Sequence, residues 1–348
     1  MQLSLLSRFR KQLMGLAILW IMVYHSLYAI PDGFPFSILH FVHRTGYGGV
    51  EVFFLLSGMG LAFGWARRPL SPLAFWKRRL LRLLPTFWIG TLAWMLARPL
   101  RGLDDMPSPR TVIEAFSGLG LWIGGEGPFW FLSAIALCYL AFPFLAKYCW
   151  QENRLRRTPW AWMLGAGALA TAALAASPLG DSVLIATMRM PLFLLGMGIG
   201  FRLNEEGPEL RVHAWILGLA GVVGIIFQWL VFWNLDRDMA QKWGIWWLPF
   251  WLSTLPVCLF AANLLGHLRG RIADILLAPL SWAGERSLEL YVCHIVLFSC
   301  LPNSDGESRW FFASLSEPAR VPEYLAYSAL AALSAEALGR LQARAFPR

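Results

Sequence analysis

Runs of about 20 mostly apolar residues recur along this chain, and they constrain its fold more than any other feature. The chain has 348 residues, of which 57% are hydrophobic and 15% are charged. Soluble domains carry about 25% charged residues, so a soluble enzyme is excluded. The sequence predicts an all-α, polytopic transmembrane helical bundle that forms a single domain over 1–348, with no separate soluble domain.

The bundle is predicted to have ten spans with both termini in the cytoplasm. The spans lie at about 13–30, 46–66, 80–97, 128–148, 159–177, 183–203, 213–233, 243–265, 282–301 and 321–341. This topology leaves most lysines and arginines on the inner side, as the positive-inside rule requires. The glycine-rich stretch 111–127 is a re-entrant or interfacial segment, or an eleventh span. We expect a multi-pass protein of the cytoplasmic (plasma) membrane.

Charge and cysteine content remove two further classes of function. The net charge of +9 follows from the positive-inside rule, and no basic face with interleaved aromatics accompanies it, so we expect no nucleic acid. The cysteines are odd in number and form no C-x-x-C. We interpret them as packing residues and expect neither disulfides nor a metal site. The cysteines are Cys138, Cys149, Cys258, Cys293 and Cys300.

Three ionisable side chains share one depth in the predicted bundle. His25 lies inside the first span, and an ionisable group at membrane depth is a functional candidate. Helical rise places His25 and His294 roughly 18 Å from the inner side and Glu51 roughly 22 Å. A carboxylate beside an imidazole fixes its tautomer and favours a general base. The alternative is that each group only hydrogen-bonds a neighbouring helix and stabilises packing.

A basic cluster lies at the inner end of the third span. Arg78 and Arg82 are spaced i, i+4 on one helix face, with Arg79 beside them. Such a cluster is either a lipid anchor or a cytoplasmic site for a phosphorylated ligand. At the outer end of the fourth span, Trp130 is either part of an interfacial aromatic belt or a wall on which a sugar stacks.

Five segments together resemble the integral membrane acyltransferase 3 family over nearly the whole chain. They resemble its motifs in the order in which the family has them. The segments are GLAILWIMVYHS ending near His25, GYGGVEVFFLLSG with Glu51, FWKRRLLRLLPTFW with the basic cluster, FWFLSAIALCY with Trp130, and SLELYVCH ending at His294.

The resemblance implies transfer of an acyl group, most often acetyl, from cytoplasmic acyl-CoA to a hydroxyl of a cell-surface polysaccharide or another extracytoplasmic sugar. It implies a catalytic His25 with Glu51 at the acidic position, and a CoA site at Arg78, Arg79 and Arg82. Acetyl-CoA or another acyl-CoA, such as succinyl-CoA, is then a donor substrate, and no cofactor is bound permanently. We expect the sugar acceptor and membrane lipids as partners, and a homo-oligomer is compatible.

The chain departs from the family at one motif position. The first-span motif usually begins with an arginine eleven positions before the histidine, where this chain has Met14. Lys11 lies one turn earlier on the same helix face and is a candidate to replace this arginine. Arg189 and Arg286, from other spans, are further candidates. Tyr291, His294 and Trp130 are candidates for support or acceptor contacts. Two alternatives stay open, namely a transporter or flippase of a lipid-linked saccharide, and a degenerate family member without activity.

Overall fold

A computed structural model describes residues 1–25, 36–98, 106–123, 129–147, 169, 180–299 and 321–345. Within these ranges the named elements are helices, and the β-bridge between Gln2 and Arg211 is isolated. The predicted all-α fold is therefore confirmed. The helices are α1 Ser4–Arg8, α2 Arg10–Tyr24, α3 Phe36–Arg44, α4 Gly49–Arg67, α5 Pro72–Leu96, α6 Pro109–Ser117, α7 Gly120–Ile123, α8 Trp130–Leu145, α9 Gly180–Thr187, α10 Met190–Glu206, α11 Ala214–Asn234, α12 Arg237–Lys242, α13 Leu248–His267, α14 Gly270–Glu285, α15 Ser287–Phe298 and α16 Val321–Ala345.

Among the described residues, four helical stretches are long and apolar enough to cross a membrane. They are Ser37–Arg67, Val183–Glu206, Ala214–Asn234 and Leu248–His267. Two shorter apolar helices are α8 and α15. The span count of ten and the orientation of the termini stay predictions, and the fifth predicted span, 159–177, falls almost entirely outside the described residues.

The glycine-rich stretch at 111–127 forms short helices over its described part. Helices α6 and α7 are separated by Gly118, whose φ of 70° is left-handed and ends α6. The nine residues of α6 rise only about 14 Å, which is half of a bilayer core. Residues 109–123 therefore contain no continuous span, whereas 124–127 lie outside the described residues.

The ninth predicted span is two helices in the structure. Helix α14 ends at Glu285 and α15 begins at Ser287, with the break at Arg286. Helix α14 was not predicted, because Arg271, Asp274 and Pro279 interrupt its apolar pattern. Its first half is exposed, and α15 then carries the apolar run on which His294 lies.

Helix α2, which leads to His25, packs against α4, α14 and α15. Helices α2 and α14 approach closely because each contributes a glycine that faces a backbone carbonyl of the other. A Cβ at Gly15 would meet the carbonyl of Leu280, and one at Gly284 would meet that of Lys11. The small-residue contact fixes α2 at the centre of the described bundle.

Helices α4 and α10 pack in the same way. A Cβ at Gly196 would meet the carbonyl oxygen of Leu55, and a Cβ at Gly58 would meet that of Phe193. The close packing that the G-x-x-x-G sequence at 196–200 indicates is therefore present, and it positions α4, which carries Glu51.

This packing predicts that one added methyl group lowers the stability of the protein where the helices touch but not elsewhere. Gly196→Ala forces the α4 and α10 backbones apart and should destabilise the protein by about 1–3 kcal/mol. Gly218→Ala on α11 is the matched control, because its Cβ would meet nothing within 4 Å in the described structure. Thermal unfolding of the purified protein in detergent measures both variants, and equal unfolding temperatures would contradict the packing.

Candidate active site

Two histidines from neighbouring helices meet at the end of α2. Nε2 of His294 on α15 lies 3.1 Å from Nδ1 of His25, and the ring centroids are 5.2 Å apart. His294 is fully buried, and His25, which directly follows α2, is half-buried. The depth estimate had placed both residues at one level, and the structure adds that their faces converge.

The hydrogen bonds assign the tautomers of this pair. Nδ1 of His294 lies 2.8 Å from the carbonyl oxygen of Leu290, and a carbonyl only accepts, so this nitrogen carries the hydrogen. With both rings neutral, Nε2 of His294 accepts from Nδ1 of His25. The remaining nitrogen of His25, Nε2, then has its lone pair, as a general base requires.

Glu51, which we expected to orient His25, forms a buried ion pair with Arg189. Its Oε1 lies 3.2 Å from Nε of Arg189, and each side chain is only 1% exposed. Arg189 directly precedes α10, which packs along α4. In place of the expected carboxylate, the partner at Nδ1 of His25 is the ring of His294.

Aromatic rings connect the ion pair with the histidines. The Arg189 guanidinium carbon lies 4.8 Å from the ring centroid of Trp130. From Trp130, ring contacts continue through Phe131 and Tyr291 to His294, with centroid distances of 6.4, 5.2 and 5.8 Å. The structure therefore brings Trp130, Arg189, Tyr291 and His294 into one cluster, although their predicted roles as support or acceptor contacts remain predictions.

A basic cavity lies nearer the start of α2. It encloses about 820 Å³ of empty space, open mouth included, and Arg79 and Arg82 line it. Arg78 is exposed and is not among the lining residues. Arg79 and Arg82, spaced i, i+3, thus share the cavity, whereas the pair predicted to share a helix face was Arg78 and Arg82. The lining residues are Arg10, Met14, Phe53, Ser57, Gly60, Leu61, Arg79, Arg82, Leu83, Phe131, Leu132, Ile135, Tyr139, Ser287 and Leu288.

The three cations proposed from spacing to replace the family arginine all have acidic partners. Lys11 Nζ lies 2.5 Å from Glu285 Oε1, with both side chains more than half exposed. Arg286 pairs with Glu336 at 2.9 Å, and Arg189 pairs with Glu51. Arg10, which was not among the predicted substitutes, lies one helical turn before Met14.

Ring contacts connect the basic cavity with the histidine pair, since Phe131 lines the cavity and contacts Tyr291, which in turn contacts His294. The model of the acyltransferase 3 family, described as an acyltransferase domain, matches residues 13–332. The chain belongs to this family. It is therefore a membrane acyltransferase by family. Searches of the curated proteins and of the solved structures found no significant match.

The described residues also bear on metal binding. They contain no group of three His, Cys, Asp or Glu side chains placed to hold a metal ion. In the histidine pair, Nδ1 of His25 contacts Nε2 of His294, and Nδ1 of His294 contacts a backbone carbonyl, so the geometry suits proton transfer.

The buried ion pair predicts an asymmetric response to mutation. Glu51→Gln leaves Arg189 as an uncompensated buried charge and should cost about 3–5 kcal/mol of stability. Replacing both partners, as Glu51→Gln with Arg189→Met, should recover most of that loss, because no buried charge remains.

Chemical unfolding in detergent measures these variants. The exposed pair supplies the control, since Glu285→Gln removes a partner of Lys11 and should cost at most about 1 kcal/mol. A loss at Glu51 no larger than the loss at Glu285 would show that the Glu51–Arg189 pair is not electrostatically isolated from water.

Proposed function

We propose that this acyltransferase moves an acyl group, acetyl by preference, from cytoplasmic acyl-CoA to a hydroxyl of a cell-surface polysaccharide or another extracytoplasmic sugar. The observation that carries the proposal is the histidine pair, because its hydrogen bonds place the ring hydrogen of neutral His25 on Nδ1 and the lone pair on Nε2. The family match supports the reaction class, and the neighbouring arginine cavity supports an anionic donor.

His25 acts as the general base in this proposal. Its Nε2 takes the proton of the acceptor hydroxyl while the hydroxyl oxygen attacks the thioester carbonyl. The tetrahedral intermediate collapses, the carbon–sulfur bond breaks, and the CoA thiolate takes the proton back from His25. An acyl-imidazole route uses the same nitrogen. In it, Nε2 attacks the thioester carbonyl, the carbon–sulfur bond breaks and the CoA thiolate leaves; the acceptor hydroxyl then takes the acyl group as the bond to Nε2 breaks, and its proton goes to the thiolate.

The donor would bind with its phosphates at Arg79 and Arg82. Guanidinium groups contact phosphate oxygens in pairs of hydrogen bonds, which suits a ligand with several phosphates. The flexible arm of CoA would then extend past Phe131 toward His25. From Met14 in the cavity wall to His25 the helix rises about 16 Å, so the donor has to be long.

The acceptor would bind near the Glu51–Arg189 pair and Trp130. Neither carboxylate oxygen of Glu51 has a hydrogen-bond partner among the residues that the structure describes. A buried oxygen that accepts no hydrogen bond costs free energy of folding, and a sugar hydroxyl would donate one to it. The half-buried indole of Trp130 offers a flat surface for a sugar ring.

Labelled acetyl-CoA added to the purified protein in liposomes tests the proposal. We expect release of CoA and labelling of a saccharide acceptor, and His25→Ala should lower the rate about 10²–10⁴-fold. The exposed histidine at the start of α11 gives the matched control, His213→Ala, which should not change the rate.

Other outcomes of this assay separate the alternatives. Saccharide movement across the bilayer without CoA binding would favour a transporter. Binding of acetyl-CoA without turnover on any acceptor would favour a degenerate member. Labelling from succinyl-CoA in preference to acetyl-CoA would retain the reaction and change the donor.

His294 is a positioning residue in this proposal, and its variants test that role. His294→Phe removes the acceptor for the His25 Nδ1 hydrogen, so kcat should fall by about 100-fold while KM for acetyl-CoA stays constant. His294→Gln offers a side-chain carbonyl to the same hydrogen and should recover part of kcat. A parallel loss of kcat and donor affinity in both variants would indicate a purely structural role.

A further inference from the structure

Three arginines converge on the basic cavity, and only two of them belong to the third-span basic motif. Arg10 at the start of α2 lines the cavity together with Arg79 and Arg82. No aspartate or glutamate is among the residues that line it. Like charges around one cavity raise each other's energy, and a polyanion that binds between them removes this cost.

The Arg10 side chain is held in place by the backbone of α4. Its Nε donates to the carbonyl oxygen of Leu56 at 3.1 Å. Gly60 leaves the space that the guanidinium occupies, since a Cβ there would lie 2.9 Å from Cζ and Nε and 3.0 Å from Nη2 of Arg10. The guanidinium therefore packs against bare helix backbone beside the cavity.

The terminal nitrogens of Arg10 remain available to a ligand. Over the described residues, the bond to Leu56 is the one hydrogen bond that this side chain makes, and it uses Nε. Nε of Arg79 is likewise buried without a hydrogen-bond partner in the part of the chain that the structure covers. The cavity thus presents donors that the protein itself does not satisfy.

We infer that Arg10 is a third binding residue for the phosphates of acyl-CoA and supplies, from one helical turn nearer the cytoplasm, the cation that the family pattern has at position 14. The inference rests on the proposed donor. Met14 lines the same cavity without charge, whereas Lys11, Arg189 and Arg286 are each paired with a carboxylate. Arg10 is the cation of helix α2 that lines the cavity.

Exchanging the two residues tests this inference. Arg10→Met should weaken binding of labelled acetyl-CoA to the purified protein about 10-fold to 100-fold, the range for a lost charge-assisted hydrogen bond. Adding Met14→Arg to that variant places the guanidinium back in the same cavity and should recover much of the affinity. Arg8→Met is the charge-matched control, because Arg8 is exposed on α1 and should not change the affinity.

A second variant displaces Arg10 without changing any charge. Gly60→Ala puts a methyl group where the guanidinium lies, and the group that has to move is the end of a flexible side chain. The fold should tolerate it, as an unchanged unfolding temperature would confirm, while acetyl-CoA binding weakens several-fold.

The outcomes separate the two proposals. If Arg79→Met weakens acetyl-CoA binding and Arg10→Met does not, the role of Arg10 is overturned and the proposed donor stands. If the wild-type protein binds no acyl-CoA, the proposed function fails, and the role of Arg10 fails with it. Loss of binding in Arg10→Met that Met14→Arg does not restore, together with a lowered unfolding temperature, would assign Arg10 to folding alone.

Discussion

A charged side chain inside an apolar helical bundle needs either an opposite charge or a polar cavity, and this constraint arranges the whole site. Glu51 and Arg189 satisfy it by pairing with each other at 1% exposure. Arg10, Arg79 and Arg82 satisfy it by facing one cavity. The histidines satisfy it as a neutral pair anchored to a backbone carbonyl. The three arginines of the cavity are the cations at which the proposed anionic donor would bind.

Helix α2 links the cavity to the histidine pair as one rigid element. Arg10 and Met14 lie in the cavity wall, and His25 directly follows the last residue of the same helix. Helix α15 repeats this arrangement, with Ser287 at the cavity and His294 beside His25. Because α2 is held by close backbone contact with α14, the distance between the cavity and His25 is fixed. Under the proposed function, this distance suits a donor whose reactive group lies far from its charges.

From the sequence we could predict how deep a side chain lies along its helix axis, but not the direction in which it points around that axis. Helical rise placed His25 and His294 at one level, and they meet. The same arithmetic placed Glu51 nearby, yet its partner is Arg189, because depth does not reveal which face a side chain occupies. Rotation also decides that Arg79 rather than Arg78 accompanies Arg82. Helix α14, which packs on α2, was not predicted because its charged residues and Pro279 interrupt the apolar pattern of a span.

The methionine at position 14 illustrates the difference between a motif and the property that it encodes. A motif records which sequence position supplies a guanidinium, whereas a phosphate responds to where that guanidinium lies in space and where its N–H groups point. Positions 10 and 14 lie one turn apart on the same side of α2, and Gly60 opposite them leaves space for a guanidinium. The cavity therefore contains three arginines although position 14 is uncharged.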